Sequence, residues 1–160
     1  MDDKDWERQV ERLWASLDAQ TEDDFLAAME RLAGERPADD PVALFERASA
    51  FDSTGHPDRA VERYRQALER GLTGIRRRRA VIQLASSLRN LGQPEESVAL
   101  LTAELEAGSD ELDDAVRAFL ALALTSVGRD REAVALSLTA LAAHLPRYNR
   151  SLAAYAEELA

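Results

Sequence analysis

Gly55-His56-Pro57-Asp58-Arg59-Ala60-Val61, Gly92-Gln93-Pro94-Glu95-Glu96-Ser97-Val98 and Gly128-Arg129-Asp130-Arg131-Glu132-Ala133-Val134 are three versions of one string, set 37 and 36 residues apart. Flanking positions keep the same register. Seven residues before each glycine stands Ala48, Ala85 or Ala121, and four before it Phe51, Leu88 or Leu124. Thirteen after it stands Leu68, Leu105 or Leu141. Five aligned columns at a fixed period mark an internal repeat, and a repeat decides the fold class before any single residue does.

Each unit reads as two helices meeting at its glycine. Upstream, Leu44, Ala48 and Phe51 recur at three- and four-residue steps, as do Val81, Leu84, Leu88 and Leu91. Downstream, Ala60, Val61, Tyr64, Ala67 and Leu68 form one apolar stripe, and Val134, Leu138, Leu141 and Leu145 another. The glycine supplies the left-handed residue that ends the first helix. Pro57 and Pro94 suit the first turn of the second, where a missing N–H costs nothing. Small alanines let the two backbones approach closely.

A hairpin of this length, with small, glycine and aromatic positions in this order, resembles the tetratricopeptide repeat. Residues 41–74 match best, through Leu44, Ala48, Phe51, Gly55, Ala60, Tyr64 and Ala67. Residues 78–111 keep Leu84, Ala85, Gly92 and Ser97 but carry Glu104 where a small residue is usual. Residues 114–147 keep Leu120, Ala121, Gly128, Ala133, Ala140 and Pro146, with Arg117 and Ser137 in place of large apolar or aromatic residues. The resemblance, to a small stand-alone bacterial-type member, implies an all-α, right-handed helical-hairpin solenoid. The intervals exceed the family's usual length by a few residues, to be absorbed by longer helices or linkers.

The ends are expected to cap the stack, because a terminal repeat exposes an apolar face with no neighbour. Trp6, Val10, Leu13, Trp14 and Leu17 make one amphipathic stripe; Thr21, with Asp24 three residues on, opens a second helix bearing Phe25, Ala28, Met29 and Leu32. Residues 1–36 are thus read as an N-terminal hairpin, Gly34 to Asp40 as a linker, and 147–160, with Tyr148, Leu152, Tyr155 and Leu159, as a C-terminal capping helix. About nine helices and one domain, 1–160, are expected.

Composition narrows the function classes. The chain carries a net charge of −10, of which residues 1–40 hold −8, so phosphate backbones and anionic lipid are poor partners. It has no cysteine, which removes disulfides, thiolate metal sites and cysteine nucleophiles together. The acidic opening, Met1 to Trp6, lacks the apolar core of a signal peptide. The longest apolar run, Ala118 to Leu124, falls far short of the ~20 residues that span a bilayer. A soluble, cytoplasmic protein is expected.

Catalytic chemistry finds little footing. Only His56 and His144 are present, and His56, beside Asp52 and Ser53, sits in a turn and is read as solvated. No metal-ligand, P-loop or nucleotide fingerprint occurs, so no cofactor is expected. The one basic run, Arg76-Arg77-Arg78-Arg79, is read first as a solvated helix start whose arginines pair with nearby acids, and second as an anion-binding patch.

The resemblance carries a site with it. In the family the first helix of each repeat lines a concave groove. The corresponding positions are Val42, Phe45, Ser49 and Asp52; then Arg79, Ile82, Ser86 and Arg89, with Gln83 and Asn90 adjacent; then Ala115, Ala118, Leu122 and Thr125. The implied peptide-groove residues are Phe45, Ser49, Asp52, Arg79, Gln83, Ser86, Arg89, Asn90 and Leu122. Some members grip a terminal carboxylate with a Lys/Asn/Arg clamp; Phe45 and Ser49 stand here where its first residues would be. The helix from Val116 to Val127 is apolar nearly all round, so it needs cover from the C-terminal helix, a second copy or a partner. The expected function is a non-enzymatic protein- or peptide-binding scaffold. The alternative is a structural homodimer whose groove is filled by its own terminal helix.

Overall fold

The computed structural model describes residues 2–160, and among these every regular element is helical. The helices are α1 (Asp3–Ala15), α2 (Glu22–Ala33), α3 (Pro41–Ser53), α4 (Pro57–Glu69), α5 (Gly74–Asn90), α6 (Pro94–Ala107), α7 (Asp113–Ser126), α8 (Asp130–Ala142) and α9 (Asn149–Leu159), with a 3₁₀ turn at Leu17–Ala19. Leu17 therefore belongs to that turn and not to α1. The chain divides into two compact units, residues 1–80 and 81–160, the boundary falling inside α5.

The repeated glycine does the same work three times. Gly55, Gly92 and Gly128 have φ of 81°, 79° and 76°. At each, the next residue's N–H reaches back to the Phe51, Leu88 or Leu124 carbonyl, at 2.8, 2.9 and 2.9 Å. The glycine's own N–H bonds Asp52, Arg89 or Thr125. This pair of bonds satisfies the last carbonyls of the helix and turns the chain back. The column four residues before the glycine is thus the one whose carbonyl accepts the closing bond. Gly71 ends α4 in the same way, with Leu72 N–H on Ala67 O, a stop the repeat pattern does not single out.

Helix starts follow local chemistry as well. Asp40 caps α3 by accepting the Ala43 N–H at 2.8 Å, and Thr21 caps α2 by accepting that of Asp24. Pro41, Pro57 and Pro94 occupy first turns. α5, at 17 residues, begins four residues before the repeat unit and takes up the extra spacing.

In the first unit, α1 packs on α2, α2 on α3 and α3 on α4. The N-terminal hairpin seats Trp6, Val10 and Leu32 against Val42, and Phe25 and Met29 against Ala50. Trp6 Nε1 donates to Leu32 O at 2.9 Å, and Trp14 Nε1 to Glu46 Oε2 at 2.8 Å. Buried Glu46 also accepts from Arg76 Nε at 3.1 Å, and Arg76 makes a two-pronged contact with Glu7 at 2.6 and 3.0 Å. One carboxylate therefore joins α1, α3 and the start of α5. Between α3 and α4, Ala48, Ala60 and Ala67 are fully buried and let Phe45 and Tyr64 meet at 6.1 Å between ring centres. Burial above all, with the Asp52 charge beside it, holds the Tyr64 phenol well above the usual tyrosine range.

In the second unit, α6 packs on α7, α7 on α8 and α8 on α9. Ile82, Ala85, Leu101, Val116, Leu120 and Leu124 form its core. The departures of the third repeat are absorbed locally: Arg117 pairs with Asp114 at 2.8 Å, and the Ser137 hydroxyl donates to Ala133 O. α9 lies on α8 with Ala156 buried, and Arg131 donates to the carbonyls of Glu158 and Leu159, both at 3.0 Å.

Two expectations change. The stripe Val134, Leu138, Leu141 and Leu145 is not the buried side of α8: Val134 and Leu141 are 48% and 49% exposed, while Ala133, Ala135, Ala140 and Ala142 are buried. Close packing of α8 between α7 and α9 selects the small residues, and α8 is apolar enough on both faces to hide that choice. The arginine run is also not simply solvated, since Arg78 is buried and Arg76 half-buried between acids.

Two outcomes follow. No atom lies within 4 Å of a Cβ built on Gly92, so Gly92→Ala should cost only the left-handed backbone, about 1–2 kcal/mol; urea unfolding should show a lower midpoint at unchanged slope. Glu46→Ala leaves Arg76 and the Trp14 N–H without their shared acceptor and should cost about 3 kcal/mol. Glu46→Gln, which keeps an acceptor for Trp14, should cost less in the same measurement.

Candidate peptide-binding face

The groove positions fall into two groups, one in each unit. In the first unit Phe45 and Ser49 are buried, at 0% and 1% exposure, so they form floor and not surface. Phe45 is closed from above by Arg79, whose guanidinium carbon lies 5.2 Å from the ring centre. The Tyr64 hydroxyl donates toward Ser49 Oγ at 3.3 Å and toward half-buried Asp52 at 3.5 Å. Arg79 is itself exposed.

In the second unit, α5 continues with Gln83, Ser86 and Arg89 half-buried and Asn90 exposed. Arg89 Nη2 donates to Asn90 Oδ1 at 3.0 Å. Gln83 Oε1 and Arg89 Nε are buried and find no hydrogen-bond partner among the described residues. Those two atoms are an acceptor and a donor, spaced six residues apart along one helix. Leu122, 48% exposed, lies on α7 beside a groove of about 490 Å³ between α7 and α8. The helices thus group an arginine over an aromatic floor in one unit, and amides, a hydroxyl and an arginine in the other.

The turn cluster around His56 does not assemble into a catalytic arrangement. His56 Nε2 contacts Glu22 of α2, its ring meets Phe51 edge-on, and Asp52 is engaged by Tyr64. His144 Nε2 bonds Asp114 Oδ2 at 2.9 Å. Among the described residues no group of three or more His, Cys, Asp and Glu is placed to hold a metal ion, and no helix is long and apolar enough to cross a membrane.

Sequence reasoning did not find the Glu7–Arg76–Glu46–Trp14 network. Its members are separated by up to 69 residues, and the only signal was a basic run at a helix start, where arginine is unfavourable without acids brought from elsewhere. Nor did it find the cleft of about 410 Å³ between α1 and α2, flanked by Arg12 and Arg31.

A family model described as a tetratrico peptide repeat matches residues 41–159, from the proline that opens α3 to the last residue of α9. No curated protein matches the chain. The match takes in well over half of the sequence and coincides with the hairpins that the three left-handed glycines punctuate. The chain belongs to the tetratricopeptide-repeat family.

Proposed function

We propose that the chain is a non-catalytic scaffold that holds a segment of another polypeptide, working in the cytoplasm, a reducing compartment that suits a chain without cysteine. The chief support is the second half of α5, which sets the amides of Gln83 and Asn90, the Ser86 hydroxyl and the Arg89 guanidinium on one helix. An extended peptide offers N–H and C=O groups in alternation, the chemistry that amide and guanidinium side chains pair with.

Arg89 supplies the charge in the second unit, and Arg79 does so separately in the first. Guanidinium forks hold carboxylates in pairs of hydrogen bonds, so an acidic or carboxylate-ended segment suits them best. Phe45 and Ser49 act from beneath, setting Arg79 and Tyr64 in place. The terminal segments are already engaged, α2 on α3 and α9 on α8, which favours a foreign segment over a terminal helix folded back as the ligand.

Replacing both Arg79 and Arg89 by alanine should remove partner capture in an affinity pull-down read by mass spectrometry, with the far-ultraviolet helix signal unchanged. Proteins enriched by the native chain and missing from the double variant identify the partner. An unchanged capture profile would place binding elsewhere.

A further inference from the structure

The cleft of about 410 Å³ in the N-terminal hairpin lies outside the residues of the family match. α1 and α2 run antiparallel, since Trp6 meets Leu32 at one end and Trp14 meets Phe25 at the other. Leu13, Ala28 and Leu32 give the cleft aliphatic walls, and Arg12 and Arg31 line it from opposite helices. Helical side chains tilt toward their own N-terminus, so on antiparallel helices these two arginines lean toward each other along the cleft.

Neither arginine has a partner. Among the described residues no carboxylate, amide or aromatic ring engages Arg12 or Arg31, and both are exposed. Every other arginine of the first unit is engaged by a carboxylate, an amide, an aromatic ring or another group of the chain. The helix dipole favours a cation in the last turn of each helix, where both stand, but it does not leave both unpaired over one cleft. Their own helices supply no acid to close them: Arg12 has Arg8, Gln9 and Ala15 at three- and four-residue steps, and Arg31 has Ala27 and Ala28. Glu35, past the end of α2, lines the cleft without bonding either one.

The cleft is positive in its own surroundings although residues 1–40 hold −8. Along α1 and α2, Asp5, Glu7 and Glu30 are already held by Arg8, Arg76 and Arg47. Asp18, Asp23 and Asp24 gather at the turn between the helices, and Glu11 does not line the cleft. Two arginines and one carboxylate are what the cleft itself presents.

We infer that this cleft receives a carboxylate-bearing segment of a partner polypeptide, its acid held between Arg12 and Arg31 and an adjoining aliphatic side chain set on Leu13, Ala28 and Leu32. Guanidinium forks take a carboxylate through paired hydrogen bonds. Glu35 offers an acceptor to a backbone N–H of the same segment. A nucleic acid or an anionic membrane does not fit, because an extended polyanion meets the whole −8 of this region and makes no use of the aliphatic walls. A segment with one or two acids beside aliphatic residues meets chiefly the local charge, since more distant charges are screened beyond about 8–10 Å. This site does not depend on the face of α5.

An NMR titration of the full chain, followed at the Arg12 and Arg31 Nε–H signals and the Ala28 and Leu32 amides, tests it. The probe is an acetylated, amidated peptide of leucine and glutamate with its glutamates one helical turn apart. The same peptide with glutamines, and inorganic phosphate, are the other arms. The glutamate peptide should shift both arginine signals saturably, with an affinity that falls as salt rises, and the glutamine peptide should bind roughly tenfold more weakly. Arg12→Gln with Arg31→Gln should cost a similar factor at unchanged helix content, because neither side chain holds another part of the fold. Arg12→Lys with Arg31→Lys should cost less, since it keeps the charge and loses only the fork. Arg79→Ala with Arg89→Ala should leave the titration as it is. The inference is overturned if neither arginine signal shifts, if the two peptides bind equally or phosphate shifts both signals as strongly, if affinity rises with salt, or if the paired glutamine variant binds like the native chain.

Discussion

The reversal of the chain at a left-handed glycine is the constraint on which the three family-type hairpins rest. At Gly55, Gly92 and Gly128 the last turn of one helix is closed by a bond back to the residue four before the glycine, and the next helix begins two residues after it. A short connection leaves two helices no arrangement but an antiparallel pair. Ala48 and Ala60 then set how closely α3 and α4 approach, and Ala121 and Ala133 do so for α7 and α8. Phe51, Leu88 and Leu124 are buried at the same register because the residue giving the closing carbonyl also faces the partner helix.

The parts of the fold that local chemistry decides were legible in the sequence. Gly, Pro, Asp40 and Thr21 each act on backbone groups within five residues, so their role can be read without knowing the tertiary neighbours. The parts that failed to show depend on distant partners. The arginine run was read as a solvated helix start pairing with nearby acids, and Arg76 does pair, but with Glu7 and Glu46 of other helices, which no local pattern points to. α8 was assigned the wrong inner face because alanine carries little weight in a stripe, although it is the residue a close crossing needs. Of the groove positions, Phe45 and Ser49 proved to lie inside, where Tyr64 and Arg79 cover them, whereas Arg79, Asn90 and Leu122 are exposed. A family register places a residue on a helix; how far it reaches solvent depends on what its neighbours cover.

The two units handle polarity differently. The first sets its charges in networks, with Glu46 buried beneath Arg76 and Trp14, and Arg36 stacked 4.0 Å over Trp6 while bonded to Asp3 and Asp40. The second keeps charge to helix ends and leaves an aliphatic face in the middle of its last hairpin. One arrangement fixes the N-terminal hairpin against α3. The other leaves Leu122, Val134 and Leu141 half exposed. A repeat scaffold divides its tasks in this way because each hairpin touches only its neighbours, so one can be specialised without disturbing the next.

Amide hydrogen exchange in the native protein tests the repeated reversal most directly. The N–H groups of His56, Gln93 and Arg129 each close the same bond, to Phe51, Leu88 and Leu124. All three should exchange slowly although they lie in turns, and each should be far slower than the amide of exposed Ser109, which lies between hairpins. Fast exchange at any one of the three, comparable to that linker, would contradict a common hairpin geometry.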